Sequence, residues 1–210
     1  MTFGRYSVCL FCGSRTGLDP LFIDEARRLG RCLAARGHRL VYGAGDRGLM
    51  GEAARAMHEA GGRIMGVIPQ HLVDWEIGKS DLDECFVTET MHERKKLMFD
   101  RSDAVIALPG GTGTLDELIE VLTWRQLGLH GKPIALVNVA GYWDPLLRLI
   151  DHTIEHGFAE AQFRAFLSVV PDAGAAVKTV ETLLSQDREE NGLSVQKEQE
   201  NLDRGIVGWG

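Results

Sequence analysis

Near the middle of the chain stands the run Ala104-Val105-Ile106-Ala107-Leu108-Pro109-Gly110-Gly111-Thr112-Gly113-Thr114-Leu115-Asp116-Glu117. Its first five residues are continuously apolar, which is typical of a strand buried on both faces of a parallel sheet. A glycine-bearing turn then leads into a helical pattern that continues to Leu127. Glycines at such a junction let the backbone approach a ligand and turn its N–H groups toward an anion, and the helix adds the positive end of its dipole.

A carboxylate, Glu117, stands at the rim of this predicted anion site. It would repel a phosphate unless it had its own task, such as facing a sugar carbon that becomes cationic, so the combination points to chemistry on a nucleotide. Thr114 and Glu117 also fit a capping box, in which each side chain satisfies a backbone donor of the other residue. The two roles are compatible, and the strand–turn–helix context favours a functional site.

Strand-like and helical segments alternate on both sides of this run. Strands are predicted over residues 6–12, 39–42, 63–68, 104–108, 133–137 and 167–170, with a weaker one over 84–87. Helices are predicted over residues 20–36, 49–60, 91–101, 114–127, 143–156 and 174–185. The alternation predicts an α/β fold: a doubly wound, Rossmann-like parallel sheet with helices on both faces. Glycine-bearing turns over 12–17, 43–48 and 109–114 then converge at the strand ends, which makes Ser14 and Gly45 candidate binding residues.

Charge and length limit the class of protein. The 210 residues include 23 Lys and Arg against 30 Asp and Glu, a net charge of −7. This balance gives no long-range attraction to nucleic acid or to an anionic membrane, so a phosphate must be held by a local site. There is no apolar run long enough to span a bilayer and no secretory pattern, so we expect a cytoplasmic protein. Residues 1–185 are expected to form a single domain and residues 186–210 a polar, flexible C-terminal tail.

The four cysteines fit a reducing compartment. Cys9 and Cys12 lie three residues apart in a predicted strand, so their side chains point to opposite faces and cannot pair or chelate together. Cys32 and Cys85 have no partner nearby in the sequence. We expect all four to act as small apolar residues.

Two motifs suggest other functions and are disfavoured. Gly43-x-Gly45-x-x-Gly48 matches a dinucleotide fingerprint, but the end of the next strand, residues 68–70, carries no acid to hold a ribose hydroxyl, so NAD binding is not expected. His152-Thr153-Ile154-Glu155-His156 has the spacing of some zinc peptidases, but no third ligand is apparent, and histidines in a last helical turn also complement the helix dipole. We therefore expect neither a metal nor a cofactor.

The run Met91-His92-Glu93-Arg94-Lys95-Lys96-Leu97-Met98 has two interpretations. It can be the solvated cationic face of an amphipathic helix, with Leu97 and Met98 in the core. Alternatively, Arg94 and Lys95 near the helix N-terminus add positive charge at a phosphate, the arginine as a planar fork and the lysine as a mobile point charge. Spacing alone does not decide between them.

Together these segments closely resemble the LOG (Lonely Guy) family of cytokinin riboside 5′-monophosphate phosphoribohydrolases. The resemblance is carried by Phe11-Cys12-Gly13-Ser14, Val41-Tyr42-Gly43-Ala44-Gly45, Gly48-Leu49-Met50-Gly51, Met91-His92-x-Arg94-Lys95-x-x-Met98, Pro109-Gly110-Gly111-x-Gly113-Thr114-x-x-Glu117, Thr123-Trp124-x-Gln126-Leu127-Gly128 and Gly141-Tyr142-Trp143-Asp144-x-Leu146-Leu147. It extends from about residue 6 to residue 185 and does not cover the tail.

The resemblance implies hydrolysis of the N-glycosidic bond of a nucleoside 5′-monophosphate, giving a free base and ribose 5-phosphate without a metal. The family's catalytic arginine and glutamate fall on Arg94 and Glu117. Its nucleotide-binding positions fall on Glu76, Arg94, Lys95, Gly111, Thr112, Gly113, Thr114 and Thr123, and Gly110 of the same turn is a further candidate binding residue. A homodimer with active sites near the subunit interface, or a larger assembly, is also implied.

Two alternatives remain at this point: a non-catalytic nucleotide-binding or carrier protein of the same fold, and a general purine 5′-nucleotide nucleosidase that acts in salvage. Relatives of this family are often labelled lysine decarboxylases, but no pyridoxal-binding lysine motif stands out in this sequence. Preference between AMP and N6-prenylated AMP depends on the shape of a pocket that no motif encodes.

Overall fold

The computed structural model describes residues 6–73 and 82–203, with side chains up to residue 189, so the candidate binding residue Glu76 lies outside the described residues. The strands are β1 (Ser7–Phe11), β2 (Arg39–Tyr42), β3 (Arg63–Pro69), β4 (Glu84–Thr88), β5 (Ala104–Ala107), β6 (Ile134–Val137) and β7 (Leu167–Val170). The helices are α1 (Pro20–Ala35), α2 (Gly48–Glu59), α3 (Met91–Asp100), α4 (Thr112–Gln126), α5 (Asp144–Glu155) and α6 (Ala173–Asp203). Short 3₁₀ segments occupy Gln70–Leu72, Val139–Gly141 and Ala161–Phe166.

These seven strands form one parallel sheet in the order β4-β3-β2-β1-β5-β6-β7, which confirms the predicted doubly wound α/β fold. The chain builds outward from β1 to the edge at β4 and then crosses to β5, on the other side of β1. The strand order therefore reverses between β1 and β5. In open α/β sheets a ligand binds in the crevice outside the carboxyl ends of the strands at such a reversal.

Helices cover both faces of the sheet. On one face, an apolar cluster that includes Val8 and Leu10 packs against α1, α2 and α6. On the other face, a cluster that includes Cys9 and Phe11 packs against α3, α4 and α5. Successive residues of a strand point to opposite faces. Because both faces are buried, β1 has no polar side and reads as a continuous apolar run.

The cysteine expectations hold in part. Cys9 and Cys12 belong to the clusters on opposite faces, so they do not pair, and burial raises the pKa of the Cys12 thiol and keeps it neutral. Cys85, however, is exposed on β4, so it does not pack as a small apolar residue would. Edge strands lack a covering neighbour on one side, and β4 is such a strand.

Two helix boundaries differ from the predicted ones by more than one residue. α4 begins at Thr112, with Gly111 as its N-cap and no side-chain capping bond, so the capping-box interpretation of Thr114 and Glu117 is wrong. α6 continues to Asp203 instead of ending near Ser185. Residues 186–203 are polar but rich in Glu, Gln and Lys, which are strong helix formers, and they contain no proline. A polar composition alone therefore does not end a helix. Among the described helices, none is long and apolar enough to cross a membrane.

A buried polar contact fastens α6 to the body of the fold. The Glu181 carboxylate lies 2.7 Å from His38 Nε2 and accepts a hydrogen bond of 3.2 Å from Arg36 Nε. His38 Nδ1 accepts from the Tyr6 backbone N–H at 3.2 Å, so Nε2 carries the proton that is donated to Glu181. His38 is 1 % exposed and Glu181 3 % exposed, so neither side chain has water as an alternative partner.

We expect Glu181→Ala to destabilise the fold. The substitution leaves the His38 N–H buried without an acceptor, which costs about 1–3 kcal/mol. The midpoint of urea unfolding should fall accordingly, whereas Lys178→Ala, at an exposed site of the same helix, should leave it nearly unchanged. Equal midpoints for the two variants would contradict a stabilising role for the buried contact.

Candidate active site

A cleft of ≈ 630 Å³ opens where the strand order reverses. Its walls come from the turn after β1, the turn after β5 with the first turns of α4, and the N-terminal half of α3. An apolar part of the wall consists of Phe22, Leu49, Met50, Leu72, Met91 and Tyr142. The central run of the sequence and the basic run over residues 91–98 therefore meet in one place, as their candidate roles require.

The two turns beside β1 and β5 pack backbone against backbone. The Gly13 N–H donates to the Pro109 carbonyl at 3.0 Å, and the Gly13 carbonyl accepts from the Leu49 N–H at 3.0 Å. A Cβ atom on Gly110 would collide with the Thr114 side chain and lie 2.9 Å from the Gly13 nitrogen. Glycine is thus required at 110 because the chain is crowded there.

Two further glycines of the same turn leave space for a ligand. A Cβ atom added to Gly111 or to Gly113 would meet nothing within 4 Å. The N–H groups of the first turn of α4, on Thr112, Gly113 and Thr114, have no partner within the helix. These N–H groups and the positive end of the helix dipole make the turn suited to an anion. The structure therefore brings all of the predicted residues from Gly110 to Thr114 to the cleft.

The two kinds of glycine should respond differently to alanine. We expect Gly110→Ala to lower both the urea midpoint and the affinity for ribose 5-phosphate, because the added methyl displaces the turn. Gly113→Ala should keep or slightly raise the midpoint, since alanine is favoured over glycine in a helix by about 1 kcal/mol, yet weaken binding because the methyl enters the open side of the turn. Calorimetric titration and urea unfolding of both variants test this. Parallel losses in both variants would contradict the distinction.

Arg94 is a buried cation held by backbone carbonyls. Thr90 caps α3 by accepting from the Glu93 N–H, which sets the helix start and hence the position of Arg94 one turn later. The guanidinium donates from Nε to the Val67 carbonyl at 3.1 Å and from Nη2 to the Gly43 carbonyl at 2.9 Å, and its residue is 6 % exposed. The solvated-face interpretation of the basic run is therefore wrong for Arg94.

The glycines of the 43–48 turn support this arrangement from outside the cleft. A Cβ atom on Gly43 would overlap the guanidinium of Arg94, and one on Gly48, where φ is +60°, would overlap the backbone of Ser14. Ser14 lines the cleft as predicted, whereas Gly45 is buried and is not part of the lining. The fingerprint-like spacing thus reflects close packing behind the site.

Lys95 reaches the cleft with its charge already paired. Its Nζ lies 2.9 Å from Asp116 Oδ2 and 3.1 Å from Glu120 Oε2. Burial lowers the pKa of Lys95, but the hydrogen bonds that its ammonium donates to these two carboxylates outweigh this effect and raise the pKa above its ordinary value. The lysine stays protonated and ties α3 to α4.

Glu117 lies in the cleft one helical turn beyond Gly113. Burial raises its pKa from 4.5 to about 7; the positive charge of Arg94 lowers it, whereas the negative charge of Asp116 raises it. No hydrogen bond to its carboxylate occurs within the described residues. A carboxyl group that exchanges its proton near neutral pH, in a cleft and without a structural partner, is suited to general acid–base catalysis.

Two other sequence-based candidates lie apart from the cleft. Thr123 is exposed on α4, about 13 Å along the helix axis from Thr114, and its hydroxyl donates to the Ile119 carbonyl at 2.8 Å. His152, Glu155 and His156 stand at the end of α5, exposed, with one donor atom of each within 4.8 Å of the others. Glu155, a member of the same sequence motif, is thus a possible third ligand, so the statement that no third ligand is apparent is wrong, but this group contributes nothing to the lining of the cleft.

Among the cleft residues that the sequence reasoning did not predict, Tyr142 makes a hydrogen bond to the anion-binding turn. Tyr142 follows β6 through the Val139–Gly141 segment and donates from its hydroxyl to the Gly110 carbonyl at 2.5 Å. The sequence signal for Tyr142 is the Gly141-Tyr142-Trp143 motif, which carries part of the family resemblance but has no chemistry of its own.

Comparisons with known proteins identify the family of this chain. A family model described as "Possible lysine decarboxylase" matches residues 50–180. The probable cytokinin riboside 5′-monophosphate phosphoribohydrolase LOGL1 of Oryza sativa subsp. japonica is 46 % identical over 85 % of this chain and 79 % of its own length. The cytokinin riboside 5′-monophosphate phosphoribohydrolase LOG5 of Arabidopsis thaliana is 45 % identical over 83 % of this chain and 76 % of its own.

A solved structure shares the fold. The molybdenum cofactor carrier protein of Chlamydomonas reinhardtii superposes with a TM-score of 0.65 over 87 % of this chain and 99 % of its own, at 22 % identity. An identity this low speaks for the fold alone. The much higher identity to the plant enzymes extends over more than four fifths of this chain, and on this ground the chain belongs to the LOG family of cytokinin riboside 5′-monophosphate phosphoribohydrolases.

Proposed function

We propose that this protein hydrolyses the N-glycosidic bond of adenosine 5′-monophosphates, including N6-modified ones, to the free base and ribose 5-phosphate. One observation carries the proposal: a carboxyl group with a pKa near 7, Glu117, lies one helical turn from a cluster of free backbone N–H groups at the start of α4. The names of the plant relatives describe the same reaction.

The geometry supports distinct roles along α4. The N–H groups from Gly111 to Thr114 bind the 5′-phosphate, and Gly113 and Glu117 are four residues apart, hence on the same side of the helix. One turn rises about 5.4 Å, which leaves room for the ribose between the phosphate and the carboxylate. Arg94, held from behind by two carbonyls, offers its remaining N–H groups to the nucleotide.

The reaction proceeds by departure of the base and attack of water. As the bond between C1′ and the base nitrogen breaks, its electron pair leaves with the base and positive charge builds on the ribose. The Glu117 carboxylate stabilises that charge and takes a proton from the water that adds to C1′. That proton is then passed to the departing base nitrogen. Binding of the phosphate positions the sugar for these steps.

Further contacts complete the proposed site. Lys95 orients α4 through its ion pairs and adds positive charge at the edge of the cleft. Glu76 is a further nucleotide contact by family resemblance, and so is Thr123.

The exposed face of α4 and α3 is the proposed dimer interface. Thr123 is exposed beside Ile119, which is 41 % exposed, and the exposed Met91 lies on the neighbouring α3. We propose a homodimer formed through this face, which brings Thr123 to the cleft of the other subunit. Light scattering of Ile119→Glu, expected to be monomeric, tests the dimer.

The decarboxylase label of the family model has no support in the cleft. An imine-forming lysine needs a lowered pKa so that its amine is neutral. Lys95 is the lysine that the described part of the cleft contains, and its pKa is raised by two carboxylates. We place the protein in the cytosol, where its four free thiols stay reduced.

Incubation of the protein with AMP and with N6-prenyl-AMP tests the activity. Ribose 5-phosphate and free base should appear in equal amounts from at least the prenylated nucleotide, and Glu117→Gln should release neither at a comparable rate. Equal use of both nucleotides would indicate a salvage nucleosidase. Binding without release from either would indicate a carrier and overturn the hydrolase proposal.

A further inference from the structure

Tyr142 is held rigidly at the wall of the cleft. Its ring packs edge-on against Phe22, with centroids 5.4 Å apart, and against the buried Trp143, with centroids 4.9 Å apart. Just before it, Ala140 and Gly141 both have left-handed backbone conformations, with φ of 52° and 70°. Such a conformation is unfavourable for alanine, so the surrounding structure must enforce it.

Asn138 provides that enforcement. Its Oδ1 accepts from the Trp143 N–H at 2.7 Å, and its Nδ2 donates to Asp144 Oδ1 at 2.7 Å. The side chain thus closes the loop between β6 and α5 and fixes where Tyr142 points. The hydroxyl of Tyr142 then donates to the Gly110 carbonyl at 2.5 Å.

The hydrogen bond from Tyr142 to the Gly110 carbonyl also fixes the direction of the neighbouring Gly111 N–H. The Gly110 carbonyl and the Gly111 N–H belong to one planar trans peptide, so they point in opposite directions. A peptide between two glycines can rotate as a unit at little steric cost, because both flanking residues reach unusual φ and ψ values. Rotation would replace the Gly111 N–H, which the proposed phosphate site uses as a donor, with the Gly110 carbonyl, which repels an anion.

We propose that the Tyr142 hydroxyl is a positioning group that locks the Gly110–Gly111 peptide with its N–H toward the bound phosphate. The inference rests on the proposed nucleotide binding by this turn but not on hydrolysis. Tyr142 acts through the peptide. The same role predicts that it matters for ligands with a phosphate and not for those without one.

Tyr142→Phe isolates the hydroxyl, because the ring and its packing on Phe22 and Trp143 are kept. The dissociation constants of ribose 5-phosphate and AMP should rise roughly three- to tenfold, as expected for loss of one hydrogen bond, while that of adenosine stays unchanged. The KM for the nucleotide should rise with kcat nearly constant, since phosphate binding is shared by ground and transition states. In ¹⁵N-labelled protein, the Gly111 amide resonance should shift or broaden.

Thr153→Val is the matched control, since it removes a hydroxyl that donates to the Ile150 carbonyl at 2.7 Å outside the cleft. It should change none of these binding constants. Unaltered ribose 5-phosphate affinity in Tyr142→Phe, or an equal loss for adenosine, would overturn the inference. The measurement also separates the two proposals: a wild-type protein that binds AMP without releasing product refutes hydrolysis, while the comparison with Tyr142→Phe still decides the role of the tyrosine.

Discussion

Glu117→Gln should lower kcat by roughly two to four orders of magnitude, the range expected for removal of a positioned acid–base group. Glutamine keeps the size and hydrogen-bonding edge of the side chain but cannot take the proton of the attacking water. Binding of AMP should change little, since the N–H groups proposed to bind the phosphate lie one turn away. Steady-state kinetics measure kcat, and calorimetric titration measures the affinity for AMP. Glu155→Gln, which removes an exposed carboxylate of α5, is the control.

The pH dependence gives a second test of the same residue. Because burial raises the pKa of Glu117 to about 7 and the ionised form is the active one, kcat/KM should rise with pH up to about 7 and level off above it. The remaining rate of Glu117→Gln should lack this acid limb. Near-normal turnover in the variant, or an identical acid limb, would refute the catalytic assignment.

The raised pKa of Glu117 also lowers the free energy of unfolding at neutral and alkaline pH. Unfolded Glu117 ionises near 4.5 and the folded residue near 7. Between these values the folded state binds more protons, so stability falls as pH rises, and the full cost of roughly 3 kcal/mol is present only above pH 7. Glu117→Gln should therefore be more stable than the wild type at pH 8, with the difference gone at pH 4.5. Urea unfolding at the two pH values measures it.

The strands and the glycine-bearing turn over residues 109–114 can be predicted from the sequence because each has a local residue pattern. β5 lies between helices on both faces, so it reads as an unbroken apolar run, and the glycines that follow it mark a close approach of the backbone. β2 and β7 were predicted with their observed bounds. The predicted start of α4 is two residues too late, because Thr114 and Glu117 have the spacing of a capping box, whereas the N-cap in the structure is Gly111.

What the sequence pattern could not reveal is pairing across the fold. Arg94 is held by carbonyls 27 and 51 residues away, so its burial has no signature in the basic run. Lys95 is paired by Asp116, 21 residues away, and Tyr142 reaches Gly110 across 32 residues. Each of these contacts depends on which strands become neighbours in the sheet, and a local reading of charge and periodicity does not contain that information.

Substitution of Arg94 should affect both the free energy of unfolding and the pKa of Glu117, and two different substitutions separate these effects. Arg94→Met and Arg94→Lys both leave carbonyls of Gly43 and Val67 short of a donor, at about 1–3 kcal/mol for each buried group, since one ammonium cannot reproduce the planar fork. Both should also lose roughly 10²–10³-fold in kcat/KM, the size of effect that removal of one preorganised donor has in other active sites, because neither side chain reproduces the N–H groups that Arg94 offers to the nucleotide in the proposed site. Urea unfolding and steady-state kinetics give these losses.

Only the methionine variant removes the positive charge that lowers the pKa of Glu117. Its acid limb in kcat/KM should therefore move to a pH above 7, while that of Arg94→Lys stays near 7. Arg125→Met, which removes a half-buried arginine that donates to the Lys132 carbonyl outside the cleft, should leave the limb in place. An acid limb of kcat/KM that stays near pH 7 in Arg94→Met would show that Arg94 does not set the charge state of Glu117. The role of Arg94 would then be confined to holding the substrate and the turn after β2.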